Sequence, residues 1–403
     1  MTTPLDQTAR DAFAATFGGA PTALARAPGR VELLGNHTDY NGGLVLAAAI
    51  DRYTVVVGRA VAGRQARVRS VNLDQVDEFD LDALEPGPPG SWGRYVRGVC
   101  WAHQERFGPL TSGFDAVIAG DVPLGGGLSS SASVQGAVAL FLRAAGLLAG
   151  AGRGPLDDPA RMALAHLLRR SENEFVGVGS GLLDQFSSLF GRSDRALTLD
   201  CRSLEYDRVP LGSPAPAIVV CDSKTSRRLA DGMYNRRREE CERAVAFFQS
   251  LRGAEAVRQL RDVTLDDLRA HWGELDPVGR LRARHVLAEN ERVRRGAEAL
   301  RAGDVAAFGR LMSESHASSR DDFANSSPAL DALIAAAGAA PGFLGGKLSG
   351  AGWAGCTVNL VAAECADAFA EAVRTRYARD SGSEPDVHVC RAAEGAAAQT
   401  PTG

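Results

Sequence analysis

Several ready routes to function are missing from this chain. The P-loop pattern is absent: Gly346-Lys347 is followed by Leu348, and the leading glycine is lacking, so the commonest strand-loop-helix nucleotide site is excluded. Cysteine is sparse, seven residues at 100, 201, 221, 241, 356, 365 and 390, an odd number with no CxxC spacing. That excludes a disulfide framework and a zinc site, and settings such as Val219-Val220-Cys221-Asp222 read as small buried hydrophobes in a reducing compartment. No apolar run reaches membrane-spanning length, and the opening MTTPLDQTAR has no basic stretch ahead of an apolar core, so a soluble cytoplasmic protein without a membrane partner is expected. Nor is there an excess of positive charge: a net charge of -4 and a pI near 6.0 give no footprint for nucleic acid. The run Arg236 to Arg238 is followed by Glu239, Glu240 and Glu242, so Arg236 is expected to pair with Glu240 and Arg238 with Glu242 on a solvated helix face. No internal repeat is present.

What is there begins with Gly120 to Ala139, GDVPLGGGLSSSASVQGAVA. Gly125, Gly126 and Gly127 allow a tight turn and close backbone approach. Leu128, Ser129, Ser130, Ser131, Ala132 and Ser133 then lead into a helix marked by Val134, Ala137, Val138, Phe141 and Ala144 at three- and four-residue steps. Unpaired amides and the positive end of the helix dipole make such a segment an anion cradle, with phosphate as its natural ligand, although glycine and serine also build ordinary loops. A formal GxGxxG lies at Gly350 to Gly355, yet it runs into the strand-like Cys356 to Val361, whereas a dinucleotide fingerprint opens a helix. A nicotinamide or flavin site is therefore rejected, and this loop is expected to close on the same phosphates or on the substrate.

The chain is long enough for two domains with a ligand between them. Short β-like runs fall within residues 23–70, including Leu44 to Ala47 and Tyr53 to Gly58, and Phe114 to Ala119 reads as the strand feeding the phosphate loop. Helices are expected at about 92–107, 130–148, 158–175 and 182–190. A strand pair near 195–222 follows, then a helical stretch over 232–338 and strands near 343–348 and 356–361. Mixed ordering of this kind argues for α+β layers. We divide the chain at 1–210 and 211–391, and the small, polar, Pro-terminated tail 392–403 is expected to be disordered. Asp184, a charge within the apolar stretch Gly181-Leu182-Leu183-Asp184-Gln185-Phe186 after a glycine-rich loop, is either a helix cap or a functional group.

Three separated stretches carry a resemblance: Pro28-Gly29-Arg30 through Gly35-Asn36-His37-Thr38-Asp39-Tyr40 to Gly43, Pro123 to Ser133, and Lys347-Leu348-Ser349-Gly350-Ala351-Gly352-Trp353-Ala354-Gly355. Together they resemble the three motifs of the GHMP small-molecule kinases and, within them, the galactokinase family. Further similar stretches, Trp92 to Val99, Glu172 to Gly177, Gly181 to Phe186, Tyr234 and Glu314 to Phe323, extend the likeness in order over most of the chain.

The resemblance implies a two-domain GHMP kinase-like α+β fold with the active site in the cleft between domains, and transfer of the ATP γ-phosphoryl group to the anomeric hydroxyl of galactose. Such transfer needs neutralised phosphates, a metal and an aligned acceptor. By resemblance Glu172 and Ser131 hold Mg2+, Asp184 lies beside the anomeric hydroxyl as base or orienting group, and Arg30 offsets developing charge there. Asn36, His37, Asp39, Gly181 and Tyr234 match sugar-contacting positions, and Trp92 and Tyr95 match the border of the adenine pocket. His316 needs no chemistry beyond a helix-end structural role. ATP and a monosaccharide are the expected partners, with the protein a monomer or weak homodimer.

One departure bears on the substrate. Galactokinases typically read Gly-Glu-His-Thr-Asp-Tyr, and the glutamate contacts the hydroxymethyl end of the hexose; here Asn36 replaces it. Loss of that carboxylate is expected to weaken galactose binding or to admit a sugar altered at carbon 6 or a pentose, with galacturonate, fucose and arabinose as alternatives. Lys347 and Ala354 also depart from common choices. Some relatives of this family bind sugar and ATP as non-catalytic regulatory sensors; the intact Ser131-Ala132-Ser133, Arg30 and Asp184 favour an enzyme.

Overall fold

The computed structural model describes residues 3–150, 154–225 and 232–399. Strands β1 (Ala23–Leu34), β2 (Leu44–Val61), β3 (Gln65–Ser70), β4 (Gln75–Asp80), β5 (Gly113–Gly120), β6 (Arg195–Asp200) and β7 (Tyr206–Pro210) build one sheet. A second, antiparallel sheet holds β8 (Ala217–Asp222), β9 (Phe343–Leu348), β10 (Cys356–Val361) and β11 (Asp386–Cys390) in the order β11-β8-β10-β9. The last strand, β12 (Ala397–Gln399), returns to the first sheet, whose order is β12-β1-β2-β5-β3-β4 with β6 and β7 continuing from β2. The chain thus changes sheet between Pro210 and Ala217.

The two sheets meet around β1, whose residues are almost all buried. Ala25 and Ala27 pack with Val45, Ala47, Phe141, Phe186 and Phe190 under the helices Ser130–Ala144 and Leu183–Phe190. Val31 and Leu33 instead join Ile218 and Val220 of β8, Val358 of β10, and Phe308 and Met312 of the helix Val305–Ser318. A shared apolar core therefore locks the halves together, and an irregularity in the β1–β2 pairing between Pro28 and Arg30 separates the two packing regions.

Most expected elements are present: Gly93–Phe107, Ser130–Ala144, Asp158–Arg170 continued by a π-helical turn Ser171–Val176, and Leu183–Phe190. Strands β9 and β10 fall at 343–348 and 356–361 as read. The runs at 44–47 and 53–58 prove to be parts of the single strand β2, because β1, β5 and β6 pair along successive stretches of it.

The disordered tail is corrected over residues 392–399. Gln399, Ala398 and Ala397 pair with Leu24, Ala25 and Arg26 of β1, and Gly395 N donates to Gly191 O at 2.9 Å. Small side chains here mark close packing, since a Cβ on Gly395 would stand 2.4 Å from Leu189 O. Residues 400–403 lie outside the described residues.

The pairs Arg236–Glu240 (3.1 Å) and Arg238–Glu242 (3.0 Å) form as expected. Only part of that face is solvated, however: Arg237 and Glu240 are buried, and Glu240 also accepts from Arg237 and Arg282. None of the seven cysteines forms a disulfide among the described residues, and five of them are buried. Among the described residues no helix is long and apolar enough to cross a membrane.

Candidate active site

A cleft of about 530 Å³ opens where β1, the glycine-serine loop, the 177–184 loop, the start of the helix Met233–Arg252 and the third glycine loop converge. Among the residues named from sequence, Arg30, Asn36, His37, Asp39, Gly181, Asp184 and Tyr234 line it, together with Gly125, Gly127, Ser129, Ser130, Ser131, Glu172 and Tyr95.

At its centre Arg30 grips Asp184. Arg30 Nε donates to Asp184 Oδ1 at 2.8 Å, Nη2 stands 2.6 Å from the same oxygen, and Nη1 donates to Gly127 O at 2.6 Å. Ser129 Oγ donates to Asp184 Oδ2 at 2.5 Å. Ser129 holds φ 57°, a left-handed conformation unfavourable for a residue with a Cβ, directly before the helix Ser130–Ala144. No side chain caps that helix, so its first amides face the loop, as an anion cradle requires.

Glu172 belongs to the π-helical turn and is buried. Its Oε2 accepts from Ser180 Oγ and from Gln185 Nε2, each at 2.6 Å. Burial raises its pKa, opposed first by Ser180; nearby Asp184 raises it further, while Gln185 and Ser131 also favour the charged form. One buried carboxylate beside a serine hydroxyl is a sparse, hard-oxygen donor set. It fits Mg2+, which takes few protein ligands and completes its shell with phosphate oxygens and water.

The opposite wall is aromatic and acidic. His37 packs against Tyr40, Tyr234, Phe323 and Trp353 with ring centroids 4.6–6.0 Å away. Its Nε2 lies 3.0 Å from Ala351 O, which can only accept, so Nε2 carries the proton and Nδ1 accepts from Tyr40 Oη at 2.9 Å. Burial lowers its pKa to about 4, so the ring is neutral. Asp39 moves the other way, to about 6, chiefly through burial and then through the charge of Glu32. Gly181 faces it closely: a Cβ there would come 2.3 Å from Asp39 Oδ2.

Asn36 is only 1% exposed and fully engaged. Its Nδ2 donates to Glu32 Oε1 at 3.1 Å and to Gly350 O at 2.8 Å, and its Oδ1 accepts from Asn325 Nδ2 at 2.9 Å. Lys347 Nζ donates to Glu32 Oε1 at 2.9 Å. The third glycine loop thus does close on the cleft, through Gly350 and Ala351.

Five residues expected to touch nucleotide do not line the cleft with their side chains. Leu128 and Ala132 are in the core, though Leu128 O accepts from Arg30 N at 3.0 Å. Ser133 Oγ donates to Ala27 O and is tied to Thr54 Oγ1. Gly126 backs onto Cys356 Sγ, and Trp92 Nε1 donates to Gln75 at 3.0 Å. His316 is structural, with Nδ1 accepting from Leu348 N at 3.3 Å and Nε2 3.2 Å from Asp331. Sequence reasoning missed Glu32, Ser180 and Asn235, all of which line the cleft. For Glu32 a signal existed: a lone carboxylate inside Val31-Glu32-Leu33-Leu34, two residues from Arg30.

Comparison with known proteins shows the fold and the family. Family models for the GHMP kinases N terminal domain and the GHMP kinases C terminal match residues 94–192 and 297–379, which defines the class. The solved mevalonate kinase of Methanococcus jannaschii shares the fold at 17% identity, with a TM-score of 0.65 over 93% of this chain and 99% of that one.

The galactokinase galactose-binding signature matches residues 11–60. Galactokinase of Roseiflexus sp. (strain RS-1) is 45% identical over 386 residues, 96% of this chain and 95% of that protein. The Chloroflexus aggregans galactokinase is 42% identical over 385 residues, 95% of each. The crystal structure of Lactococcus lactis galactokinase complexed with galactose superposes with a TM-score of 0.88 at 32% identity, covering 98% of this chain and all of that one. The chain belongs to the galactokinase family.

Proposed function

We propose that the protein phosphorylates galactose at its anomeric hydroxyl with ATP. The observation that carries this reading is the clasp of Arg30 and Ser129 on Asp184 at the mouth of the glycine-serine loop. Phosphates lying along the amides of Gly125 to Ser131 bring the γ-phosphoryl group beside Arg30, and a sugar lying against Asp39 and Tyr234 presents its anomeric oxygen to Asp184. Arg30 then faces the charge that builds on the transferring group, while Asp184 orients the hydroxyl and receives its proton. Mg2+ held by Glu172 and Ser131 supplies charge neutralisation at the phosphates when bound. Among the described residues buried Glu172 is paired with neutral donors only, so a bound cation would complete its environment.

The test is ADP release with Mg2+ across galactose, glucose, 6-deoxygalactose, arabinose and galacturonate, with the product read by phosphorus NMR. A 1-phosphate of galactose formed at ordinary enzymatic turnover is expected. Binding of ATP and galactose without ADP release would overturn the reading in favour of a sensor.

A further inference from the structure

Glu32 is a buried acid in the cleft that the scheme above leaves unused. Arg30, Val31 and Glu32 pair in regular register with Ala49, Ala48 and Ala47, so Arg30 and Glu32 point to the same side of β1, about 6–7 Å apart. Arg30 marks the anomeric end of the site through Asp184. Glu32 lines the same cleft one strand repeat further along β1.

The bonds at Glu32 are one-sided. Lys347 Nζ and Asn36 Nδ2 both address Oε1, at 2.9 and 3.1 Å, and Oε2 has no hydrogen-bond partner among the described residues while the side chain keeps 8% of its surface exposed. An anionic oxygen is thus fixed from behind and left open in front. Asn36, by contrast, has both amide hydrogens and its carbonyl oxygen in use and has no donor left for a substrate.

We propose that Glu32 determines sugar specificity in this protein, accepting a hydrogen bond from the carbon-6 hydroxyl through Oε2, with Asn36 and Lys347 as positioning residues. This deepens the sugar-kinase reading and rests on it. The carboxylate replaced at position 36 is then supplied four residues earlier. A uronic acid at carbon 6 meets an anion, contrary to what Asn36 alone suggests, and a 6-deoxy sugar leaves that anion without its donor.

The test compares kcat/KM for galactose, 4-deoxygalactose, 6-deoxygalactose and galacturonate in the wild type and in Glu32→Gln. The wild type is expected to prefer galactose over 6-deoxygalactose by roughly ten- to a hundredfold, the worth of a hydrogen bond to a charged group. Galacturonate is expected to be inert. In Glu32→Gln the preference should shrink at least fivefold through the KM for galactose. The ratio of two sugars on one preparation is independent of how much protein is folded. Because Lys347 is wholly buried, Glu32→Gln/Lys347→Met serves if the single variant does not fold.

Equal use of galactose and 6-deoxygalactose by the wild type, an unchanged ratio in the variants, or a discrimination confined to 4-deoxygalactose would overturn the assignment. Absence of turnover on every sugar would instead overturn the kinase reading itself.

Discussion

Arg30 meets Asp184 with two nitrogens on one oxygen, Nε at 2.8 Å and Nη2 at 2.6 Å, and leaves the other oxygen to Ser129. The guanidinium is 7% exposed and the carboxylate 27%, so the acid rather than the arginine opens to the cleft. The fork fixes the direction in which Oδ2 points. A substrate hydroxyl approaching there replaces a serine hydroxyl, a neutral exchange that costs little.

Arg30→Lys is therefore expected to be far from conservative. A lysine cannot hold Asp184 and Gly127 O with one planar group, and kcat should fall on the order of a thousandfold, with Asp184→Ala abolishing turnover. Near-normal kcat in either variant, measured by coupled ADP release on protein whose melting curve is unchanged, would remove the clasp from the mechanism.

Asp39 gives a pH-dependent prediction with a definite sign. Its pKa is raised to about 6 from 3.8, so the fold binds this proton more tightly than the unfolded chain does. Stability is then lost as pH rises from about 4 to 6, and the loss is fully present above 6. Asp39→Asn should raise the stability of the ligand-free protein at pH 8 by up to about 3 kcal/mol and change little at pH 4. The same variant should raise the galactose KM, and in the wild type that KM should climb as pH falls through 6. Matching melting temperatures at pH 8 would contradict the assignment.

Glu240 is the keystone of a buried charge cluster. It accepts from Arg237 Nη1 at 2.9 Å and from Arg282 Nε at 2.7 Å, and both arginines also hold carbonyls at Asp322 to Ala324, beneath the His37 cage. Removing the acid strands two buried cations. Glu240→Ala should cost about 3–5 kcal/mol in urea unfolding, whereas Glu242→Ala, on the exposed pair with Arg238, should cost under about 1 kcal/mol.

Legibility differed by the kind of information involved. The glycine-serine loop and Asp184 were readable because each breaks a local pattern, a glycine cluster before a helix or a charge in an apolar run, whereas Arg30 came from the resemblance alone. The tail at 392–399 was not, since backbone pairing with β1 needs no distinctive side chains and small residues spell both disorder and close packing. Asn36 was found but its surroundings were not: that Asn325, Gly350 and Glu32 saturate it depends on contacts across up to 314 residues. Ser133 was grouped with its neighbours by composition, although a helix turns successive residues by about 100° and only some can face the phosphates.

That rotation yields a final prediction within one turn of helix. Ser131 lines the cleft beside Glu172, while Ser133, two positions on, is fully buried and joins Ala27 O at 2.7 Å and Thr54 Oγ1 at 2.8 Å. Ser131→Ala should lower kcat and raise the Mg2+ concentration needed for half-maximal rate, with melting temperature held. Ser133→Ala should do the reverse: it leaves Thr54 Oγ1 and Ala27 O short of a partner and costs about 1–3 kcal/mol of stability, with the KM for ATP unchanged in the folded fraction. Titrating Mg2+ and ATP against both variants separates the two. An Mg2+ response in Ser133→Ala, or none in Ser131→Ala, would mean that the helix presents a different face to the nucleotide.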